Sequence, residues 1–398
     1  MNLCIQNSKL QGTVHVPSSK SFAHRQLTAA ALSDKPTKLI VNTFSEDILA
    51  TMDCIRSMGA SLVQNEGTIF IKPASSVPGK ASFSCRESGS TLRFMLPVAA
   101  VLGMDATFTG TGRLPERPIA VLTEALRQHG INADRDFLPL HLSGTLSGGL
   151  FEIAGNISSQ YITGLLLALP LCNEDSHIVF TTPVESAAYL EITLQVLAQF
   201  GIIIEKEENG YFIPGNQSYR TPGEIQTEGD WSSAVFWHCA NQMGAHIQID
   251  GLNTASCQGD CIILEQLNQL GGEIDVSQTP DSLPALAVAA CMHHGITHFT
   301  GAGRLRIKES DRLSAITAML RALGQTVTEE QEGLIIHGGT PFTGGTVDGC
   351  NDHRIVMASA IAACFAQVPV TILGTEAVRK SYPRFFDDLI SLGGKIHG

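Results

Sequence analysis

The sequence predicts an α/β fold built from six copies of one β-α-β-α-β-β unit. The first observation is a set of six glycines, each following a hydrophobic stretch of helical period, at intervals of 71, 71, 70, 53 and 69 residues. They are Gly59, Gly130, Gly201, Gly271, Gly324 and Gly393. Glycine is the preferred residue just past a helix end, because the backbone there turns to positive φ. A regular series of such stops predicts an internal repeat.

The second observation is an apolar residue four positions before each of these glycines. The six residues are Ile55, Leu126, Leu197, Leu267, Leu320 and Leu389. This position lies on the last helical turn before the cap, where an apolar side chain is expected to pack against the core.

The third observation is a pair of alternating runs after the glycine stop. Residues 61–64 and 68–72 flank Asn65-Glu66-Gly67, and residues 202–206 and 211–213 flank Glu208-Asn209-Gly210. Period-two patterning around a polar turn that contains Gly is typical of a β-hairpin. Each unit should therefore contain two helices, two further strands and one hairpin.

Composition narrows the class of function. The chain has 398 residues, enough for two domains, and with 43% hydrophobic and 16% charged residues it should be globular. A net charge of −12 argues against binding to nucleic acid or to an anionic membrane surface, since both require a basic face. An anionic ligand would therefore need a local cluster of cations.

Location and cysteine chemistry are also constrained. The longest apolar run, residues 165–172, is too short to span a bilayer, and the first ten residues lack the apolar core of a secretory signal. We therefore expect a soluble, cytoplasmic chain. The ten cysteines show no paired CxxC spacing, so we expect reduced thiols and no metal site.

Five apolar helices are predicted to begin with a short polar segment. The segments are Lys20-Ser21, Ser88-Gly89-Ser90-Thr91, Ser158-Ser159-Gln160, Lys308-Glu309-Ser310-Asp311-Arg312 and Asp352-His353-Arg354. Helix N-termini carry unsatisfied N–H groups and the positive end of the helix dipole, so they favour anions. Ordinary helix capping explains any one segment, but five in related copies suggest a shared site.

If these helix starts converge, they assemble a cationic site for one or two multiply charged anions. The cations would be Lys20, Arg25, Arg117, Lys308, Arg312, Arg354 and Lys380. Acidic residues lie among them, namely Asp281, Glu309, Asp311 and Asp352. A carboxylate surrounded by cations stays ionised and can act as a base. His24, beside Arg25, is given no role.

These segments resemble the 5-enolpyruvylshikimate-3-phosphate synthase family. The resemblance runs from about residue 12 to residue 386 and includes Arg113-Leu114-Pro115-Glu116-Arg117-Pro118-Ile119 and Asn351-Asp352-His353-Arg354. It implies a two-domain, inside-out α/β barrel with three repeats in each domain. The first domain would comprise residues 1–18 and 229–398 and the second residues 19–228, with crossings near 17–20 and 228–230 and the active site in the cleft between the domains.

The resemblance implies transfer of the enolpyruvyl group of phosphoenolpyruvate to the 5-hydroxyl of shikimate 3-phosphate, with release of phosphate. The implied shikimate 3-phosphate contacts are Lys20, Ser21, Arg25, Ser158, Ser159, Gln160, Ser186, Tyr189, Asp281 and Lys308. The implied phosphoenolpyruvate contacts are Lys20, Gly89, Arg117, Gln160, Arg312, Arg354 and Lys380.

The implied catalytic groups are Asp281, as the base for the hydroxyl proton, and Glu309 with Lys20, which would move the carbon-bound proton. No cofactor is implied, and a monomer is expected. Two departures from the family pattern are Glu87 and Arg304, which stand where many members carry Asn. A carboxylate at residue 87 should repel phosphoenolpyruvate unless a cation pairs with it.

Two alternatives stay open at this point. One is the related transferase that uses UDP-N-acetylglucosamine as the acceptor, although the segment before Arg117 lacks the Cys usual there and Ser21, not Asn, follows Lys20. The other is a non-catalytic anion-binding homologue, although Asp281 and Glu309 are both present.

Overall fold

The computed structural model describes every residue from Met1 to Gly398, and the chain divides into two compact units. The central unit is Ser18–Thr227, and the terminal unit combines Met1–Pro17 with Glu228–Gly398. None of the helices has the length and apolar character needed to cross a bilayer.

The helices are α1 Lys20–Ala31, α2 Glu46–Ser57, α3 Gly89–Val101, α4 Ala120–Arg127, α5 Ser159–Ala168, α6 Ala188–Gln199, α7 Trp231–Gln242, α8 Ile263–Asn268, α9 Leu283–Met292, α10 Arg312–Ala322, α11 His353–Cys364 and α12 Phe385–Ser391. The strands up to the end of the central unit are β1 Asn2–Gln6, β2 Gln11–His15, β3 Thr37–Ile40, β4 Ser61–Asn65, β5 Thr68–Lys72, β6 Lys80–Ser84, β7 Asp105–Thr109, β8 Ile131–Ala133, β9 Leu140–Gly144, β10 Gly149–Ala154, β11 Ser176–Thr182, β12 Glu205–Glu207, β13 Gly210–Ile213 and β14 Glu224–Gln226. The remaining strands are β15 His246–Asp250, β16 Glu273–Asp275, β17 Gly295–Thr300, β18 Thr326–Glu329, β19 Leu334–Gly338, β20 Gly345–Asp348, β21 Val370–Leu373 and β22 Lys395–His397.

Five four-stranded sheets share one topology. In one of them β6 pairs in parallel with β7, β7 pairs antiparallel with β9, and β9 pairs antiparallel with β8. The other four are ordered β14-β3-β5-β4, β10-β11-β13-β12, β16-β17-β19-β18 and β20-β21-β1-β22. A parallel pair needs a crossover such as α3, whereas an antiparallel pair can close with a short turn. The predicted repeat is therefore confirmed in these five units.

The sixth unit departs from the predicted pattern. Its sheet contains only β2 and β15, paired in parallel, and the chain passes from Gly271 directly to β16 without a hairpin. The missing hairpin explains why the interval from Gly271 to Gly324 is 53 residues when the others are 69 to 71. The prediction of a hairpin in every unit is wrong here.

Strands that are distant in sequence close each unit. In the central unit, the last strand, β14, pairs with the first, β3. In the terminal unit, β1 pairs with both β21 and β22, so the N-terminal segment completes a sheet made of C-terminal strands. These pairings explain why the terminal unit is discontinuous in sequence.

The six helix-ending glycines adopt the same backbone conformation. Their φ angles lie between 74° at Gly201 and 102° at Gly393. After α2, the Ala60 amide donates to the Ile55 carbonyl at 3.3 Å and the Gly59 amide donates to the Arg56 carbonyl at 2.9 Å. These two bonds define the Schellman cap, and the six apolar residues before the glycines are all buried. The positive φ of all six glycines and the burial of the six apolar residues confirm the predicted helix ends.

The two predicted hairpins are also present. In the first, β4 and β5 pair from Ser61↔Lys72 to Asn65↔Thr68, which leaves a two-residue turn at Glu66-Gly67. In the second, β12 and β13 close at Glu207↔Gly210, but β12 begins at Glu205 and not at the predicted residue 202. Ile202 belongs to the preceding helix cap, since its amide donates to the Leu197 carbonyl.

The burial pattern places helices inside and sheets outside. Every residue of α11 is buried, as are nine residues of α9, and all of them except His353, Arg354 and Ser359 of α11 are apolar. By contrast, β4 and β12 expose most of their residues. A sheet that covers buried helices from outside is the inside-out arrangement that the family resemblance implied.

Candidate active site

All five polar segments begin helices, as predicted. Ser88 accepts a hydrogen bond from the Thr91 amide at the start of α3, and Ser158 accepts from the Gln160 amide at the start of α5. In the terminal unit, Asp311 caps α10 and Asp352 caps α11. α1 begins at Lys20 without a side-chain cap from Ser19. The site residues are thus placed on the first turns of rigid helices.

Unusual backbone conformations precede two of these helix starts, those of α3 and α11, and also the start of α6. Arg86, just before the Ser88 cap, has φ 48°, Ser186 before α6 has φ 55°, and Cys350 and Asn351 before Asp352 have φ 51° and 49°. Left-handed conformations of residues other than Gly cost about 1–3 kcal/mol each and concentrate at functional sites. Sequence patterns did not predict this clustering.

Arg25 is the most buried cation of the central unit that the sequence singled out. Its Nε donates to Thr193 Oγ1 at 2.8 Å, and its terminal nitrogens donate to the Ser21 carbonyl, to Thr163 Oγ1 and to the Tyr189 carbonyl. These bonds connect α1 with α5 and α6. The guanidinium also lies 5.0 Å from the centre of the Phe94 ring.

Lys20, at the first position of α1, forms an ion pair with Asp47 of α2. Lys20 Nζ and Asp47 Oδ2 are 2.8 Å apart, and both side chains are largely shielded from solvent. Ser21 follows in the same turn, half-buried. Asp47 was not predicted, because no local pattern connects it with Lys20.

A second group of central-unit residues surrounds the start of α3. A methyl group on Gly89 would lie 2.6 Å from Arg117 Nη1 and closer still to Arg93 Nη1, so the absence of a side chain at Gly89 lets both guanidiniums approach. Arg93 donates to Gln160 Oε1 at 3.1 Å, and Gln160 donates in turn to Ser90 Oγ at 2.9 Å. The starts of α3 and α5 are therefore neighbours.

The remaining predicted residues of the central unit lie at the starts of α5 and α6. Ser159 is buried in the first turn of α5, directly after the Ser158 cap. Ser186 is buried before α6, and its carbonyl accepts from the Tyr189 amide at 3.1 Å. Since the Tyr189 carbonyl accepts from Arg25, this turn is tied to α1.

In the terminal unit, Asp281 is the meeting point of three cations. Its carboxylate lies 2.7 Å from Arg312 Nη1, 3.2 Å from Arg354 Nη2 and 3.9 Å from Lys308 Nζ. Arg354 also donates to the Asp281 carbonyl at 3.0 Å. The turn Pro280–Ser282 holds Asp281 at the start of α9, so the starts of three helices come together here.

Arg312 and Asp352 form a buried ion pair beneath this group. Arg312 Nε and Asp352 Oδ2 are 2.7 Å apart, and Ser310 donates to the same carboxylate at 3.0 Å. Burial disfavours both charges. The mutual attraction outweighs it, so the pKa of Asp352 lies below its ordinary value, and Asp352, Asp281 and Glu309 raise the pKa of Arg312.

Glu309 is paired with a buried imidazole. His353 Nδ1 and Glu309 Oε2 are 2.8 Å apart, and Arg312 Nη2 lies 3.9 Å from the other Glu309 oxygen. Ligand atoms of Glu309, Asp352 and His353 all lie within 4.8 Å of one another, a spacing that a metal ion could use. The Arg312 guanidinium already supplies positive charge to both carboxylates of this set.

A further buried carboxyl, Asp260, lies behind Arg354. Arg354 Nη2 donates to Ser232 Oγ at 2.9 Å, and Ser232 also hydrogen-bonds Asp260. Burial raises the pKa of Asp260 to about 6, against the opposing charge of Arg354. Neither Asp260 nor Ser232 was predicted.

Lys380 and the two departures from the family pattern each have an assigned contact. Lys380 Nζ donates to the Asn351 carbonyl at 2.6 Å. Arg304 donates to the Ser277 carbonyl at 2.8 Å and so supports the loop before Asp281. Glu87 lies against Gly112, since a methyl group there would be 2.4 Å from its carboxyl carbon.

The predicted residues are thus divided between the two units. The central unit contains Lys20, Ser21, Arg25, Gly89, Arg117, Ser158, Ser159, Gln160, Ser186 and Tyr189. The terminal unit contains Asp281, Lys308, Glu309, Arg312, Arg354 and Lys380. Arg93 is the omission that the sequence could have revealed, because it lies one helical turn after Gly89 on the same helix.

Comparisons with known proteins identify the family. The family model described as EPSP synthase (3-phosphoshikimate 1-carboxyvinyltransferase) matches residues 5–277 and 268–389. The chain belongs to the EPSP synthase family. A relative from Clostridium kluyveri named 3-phosphoshikimate 1-carboxyvinyltransferase is 41% identical over 98% of this chain and 97% of its own length. One of the same name from Clostridioides difficile is 38% identical over 99% and 98%.

Solved structures show the same fold. EPSP synthase from Acinetobacter baumannii superimposes with a TM-score of 0.82 and 25% identity over the full length of both chains. The enolpyruvyl transferase NikO from Streptomyces tendae has a TM-score of 0.81 over 100% of this chain and 98% of its own, and at 16% identity it supports the fold alone. The predicted family, fold and transferase class are confirmed. Membership of the EPSP synthase family favours this activity over the UDP-N-acetylglucosamine alternative.

Proposed function

We propose that this chain transfers the enolpyruvyl group of phosphoenolpyruvate to the 5-hydroxyl of shikimate 3-phosphate and releases inorganic phosphate. The supporting observation is that, in a chain of the EPSP synthase family, the helix-start residues gather around Arg25 and Gly89 in one unit and Asp281 in the other. The two domains would be residues 1–18 with 229–398 and residues 19–228.

The central unit would supply most of the shikimate 3-phosphate contacts. Lys20, Ser21 and Arg25 present two cations and a hydroxyl from one helix, and Ser158 and Ser159 add hydroxyls and backbone N–H groups at a helix N-terminus. Gln160, Ser186 and Tyr189 would complete this set, with Asp281 and Lys308 contributing from the terminal unit. Such a mixture of donors suits a phosphate ester next to sugar-like hydroxyls.

Phosphoenolpyruvate would be bound by cations of both units. Because Gly89 has no side chain, the Arg117 guanidinium can approach the start of α3. Arg117 and the backbone N–H groups there could then bind the same anion. Lys20 and Gln160 would contact it from the same unit, and Arg312, Arg354 and Lys380 from the terminal unit. Neutralising both substrates lets two anions approach each other.

The chemistry requires two proton transfers at carbon and one at oxygen. Asp281 would accept the proton of the 5-hydroxyl as this oxygen bonds to the central carbon of phosphoenolpyruvate, whose methylene carbon takes up a proton. Breaking the carbon–oxygen bond to phosphate and removing a methyl proton then restore the double bond. Glu309 and Lys20 would carry the carbon-bound proton, and the contact with His353 orients Glu309.

Domain closure would complete this site. Facing cations repel each other until anions are bound, so substrate binding should favour the closed state. Small-angle X-ray scattering should show a smaller radius of gyration with both substrates than with neither, and an unchanged radius would count against closure.

The proposal is tested by turnover. Purified protein is incubated with phosphoenolpyruvate and either shikimate 3-phosphate or UDP-N-acetylglucosamine, and phosphate release is followed. We expect release with shikimate 3-phosphate only. Release with the UDP sugar alone would overturn the proposal, and tight binding of shikimate 3-phosphate without turnover would favour the non-catalytic homologue.

A further inference from the structure

His24 lies at the centre of a buried hydrogen-bond chain that the mechanism above does not use. It is on α1, between the predicted ligands Lys20 and Arg25, and only 1% of its surface is exposed. No sequence pattern indicated a role for it.

The chain links three helices of the central unit. His24 Nδ1 is 2.6 Å from Thr51 Oγ1 on α2, which is 2.7 Å from Thr91 Oγ1 on α3. Thr91 Oγ1 then donates to Ser88 Oγ, the N-cap of α3, at 2.7 Å. Thr51, Thr91 and Ser88 are completely buried, so water does not compete for these bonds.

The hydrogen bond at the Ser88 end determines which group is the donor in each of the other bonds. Thr91 Oγ1 lies 2.7 Å from Ser88 Oγ and 3.5 Å from the Asp47 carbonyl, so we assign its proton to the shorter contact. With this assignment, the Thr91 oxygen accepts from Thr51, and the Thr51 oxygen accepts from His24. His24 therefore carries its proton on Nδ1. Its Nε2 has no hydrogen-bond partner, and the ring packs edge to face with Phe94.

The surroundings keep His24 neutral. Burial lowers the pKa of His24 to about 3, with Lys20 and Arg25 acting in the same direction and Asp47 opposing them. A charged imidazole would also leave a buried N–H without an acceptor at Nε2. The imidazole is therefore a fixed donor and not a proton carrier.

The chain ends at the phosphoenolpyruvate subsite proposed above. Ser88 caps α3, the next residue is Gly89 beside Arg117, and Ser90 accepts from Gln160. A change in the orientation of the Ser88 hydroxyl would therefore move the N–H groups and the partners of this first turn.

We propose that His24 is a positioning residue for phosphoenolpyruvate, which fixes the start of α3 through Thr51, Thr91 and Ser88. The proposal rests on the proposed function for the identity of the ligand, but the proton arrangement of the chain is independent of it.

Substitutions of His24 separate the effect of the hydrogen bond that Nδ1 donates from the effect of the ring's size and shape. In His24→Asn, the side-chain NH2 group can occupy the position of Nδ1, whereas in His24→Gln it reaches the position of Nε2. Thr51→Val removes the middle link with little change in shape. Thr28→Val is the control, because Thr28 is buried on the same helix but donates only to the His24 carbonyl.

We expect His24→Gln and Thr51→Val each to raise the KM for phosphoenolpyruvate about five-fold, the effect of one lost hydrogen bond. The kcat and the KM for shikimate 3-phosphate should stay within about two-fold, and the double variant should match the single ones. His24→Asn and Thr28→Val should resemble the parent chain. Equal increases in both KM values, additive effects, or no rescue by Asn would overturn the proposal.

A second measurement does not depend on activity. Long-range ¹H–¹⁵N spectra, with the His24 signals assigned from their loss in His24→Gln, report the tautomer of the ring. We expect a proton on Nδ1 alone and no titration between about pH 5 and pH 8. A proton on Nε2, or a titration near pH 6.5, would overturn the hydrogen-bond chain even if turnover confirms the proposed function. Conversely, if the expected tautomer is observed but the protein shows no turnover, only the identity of the ligand would be overturned.

Discussion

The central and terminal units both place arginines at helix starts, but they surround them with different partners. The four hydrogen bonds of Arg25 described above go to hydroxyls and main-chain carbonyls. Arg312, by contrast, contacts three carboxylates, those of Asp281, Asp352 and Glu309. Neutral partners orient a guanidinium without cancelling its charge, whereas carboxylates cancel it.

This difference indicates two roles for the same residue type. Under the proposed function, Arg25 of the central unit would offer positive charge to shikimate 3-phosphate. In the terminal unit, Arg312 and Arg354 also hold the Asp281 carboxylate in place, as its proposed role of general base requires, besides their proposed contacts with phosphoenolpyruvate. We therefore expect variants of Arg25 mainly to weaken binding and variants of Asp281 mainly to slow the reaction.

The largest effect is expected from Asp281→Asn. The amide keeps the shape of the side chain but cannot accept a proton, so kcat should fall about 10²- to 10⁴-fold. The dissociation constant of shikimate 3-phosphate, measured by calorimetry, should change much less. Glu329→Gln is the control, because Glu329 pairs with Arg306 and lies outside the proposed site. A loss of affinity as large as the loss of kcat would show that Asp281 mainly binds substrate.

Arg312→Met should cost more stability than Arg25→Met. Removing Arg312 leaves the buried carboxylate of Asp352 without its main counter-ion and Asp281 with two of its three cations, a loss of about 3–5 kcal/mol. Removing Arg25 takes a donor from hydroxyls and carbonyls, and a loss of about 1–3 kcal/mol in unfolding free energy is expected. Urea unfolding of the two variants measures the difference, and equal costs would contradict the contrast between the units.

Features encoded locally could be predicted from the sequence. Gly59 and its five counterparts mark helix ends because one backbone conformation requires glycine, and Ser88, Ser158 and Asp352 mark helix starts because their side chains cap the next turn. In the sequence, the missing hairpin after Gly271 was visible only as a short interval between Gly271 and Gly324. The strand order shows that the interval is short because this unit has no hairpin.

Contacts between distant segments could not be predicted in the same way. Asp260 meets Ser232 and Arg354 through packing of α7 and α11, and Thr51 meets Thr91 through packing of α2 and α3. Neither pair has a characteristic spacing, since Thr51 and Asp260 are ordinary polar residues in the sequence. Their roles depend on tertiary structure alone.

Arg25→Lys tests the binding role of the central unit. Lys keeps the charge but cannot bridge Thr193, Thr163 and the Tyr189 carbonyl together. Loss of one or two charge-assisted hydrogen bonds should weaken shikimate 3-phosphate binding about 10- to 100-fold, with a smaller change in kcat. Arg56→Lys is the matched control, because Arg56 forms an exposed ion pair with Asp53. A fall in kcat with unchanged affinity would reverse the assignment.

The smallest effect concerns Asp260 and the pH dependence of stability. Its pKa of about 6 in the fold lies above the unfolded value of 3.8, so the folded state binds this proton more tightly. Its contribution is fully present below about pH 4 and is lost as the pH rises through about 6. Between pH 4 and pH 6, the unfolding free energy of the parent chain should fall by on the order of 1–3 kcal/mol relative to that of Asp260→Asn.

Unfolding free energies of the parent chain and Asp260→Asn at pH 4, 5, 6 and 7 measure this difference. Glu273→Gln, an exposed carboxylate of the same unit, should show no such trend. A constant difference between the parent chain and Asp260→Asn would mean that Asp260 titrates normally.

The most direct test of a site shared by both units is a crystal structure of Asp281→Asn with shikimate 3-phosphate and phosphoenolpyruvate bound. We predict that Arg117 of the central unit and Arg354 or Lys380 of the terminal unit contact the same phosphoenolpyruvate, with Arg25 beside shikimate 3-phosphate. Substrates contacted by the residues of one unit only would contradict the proposal.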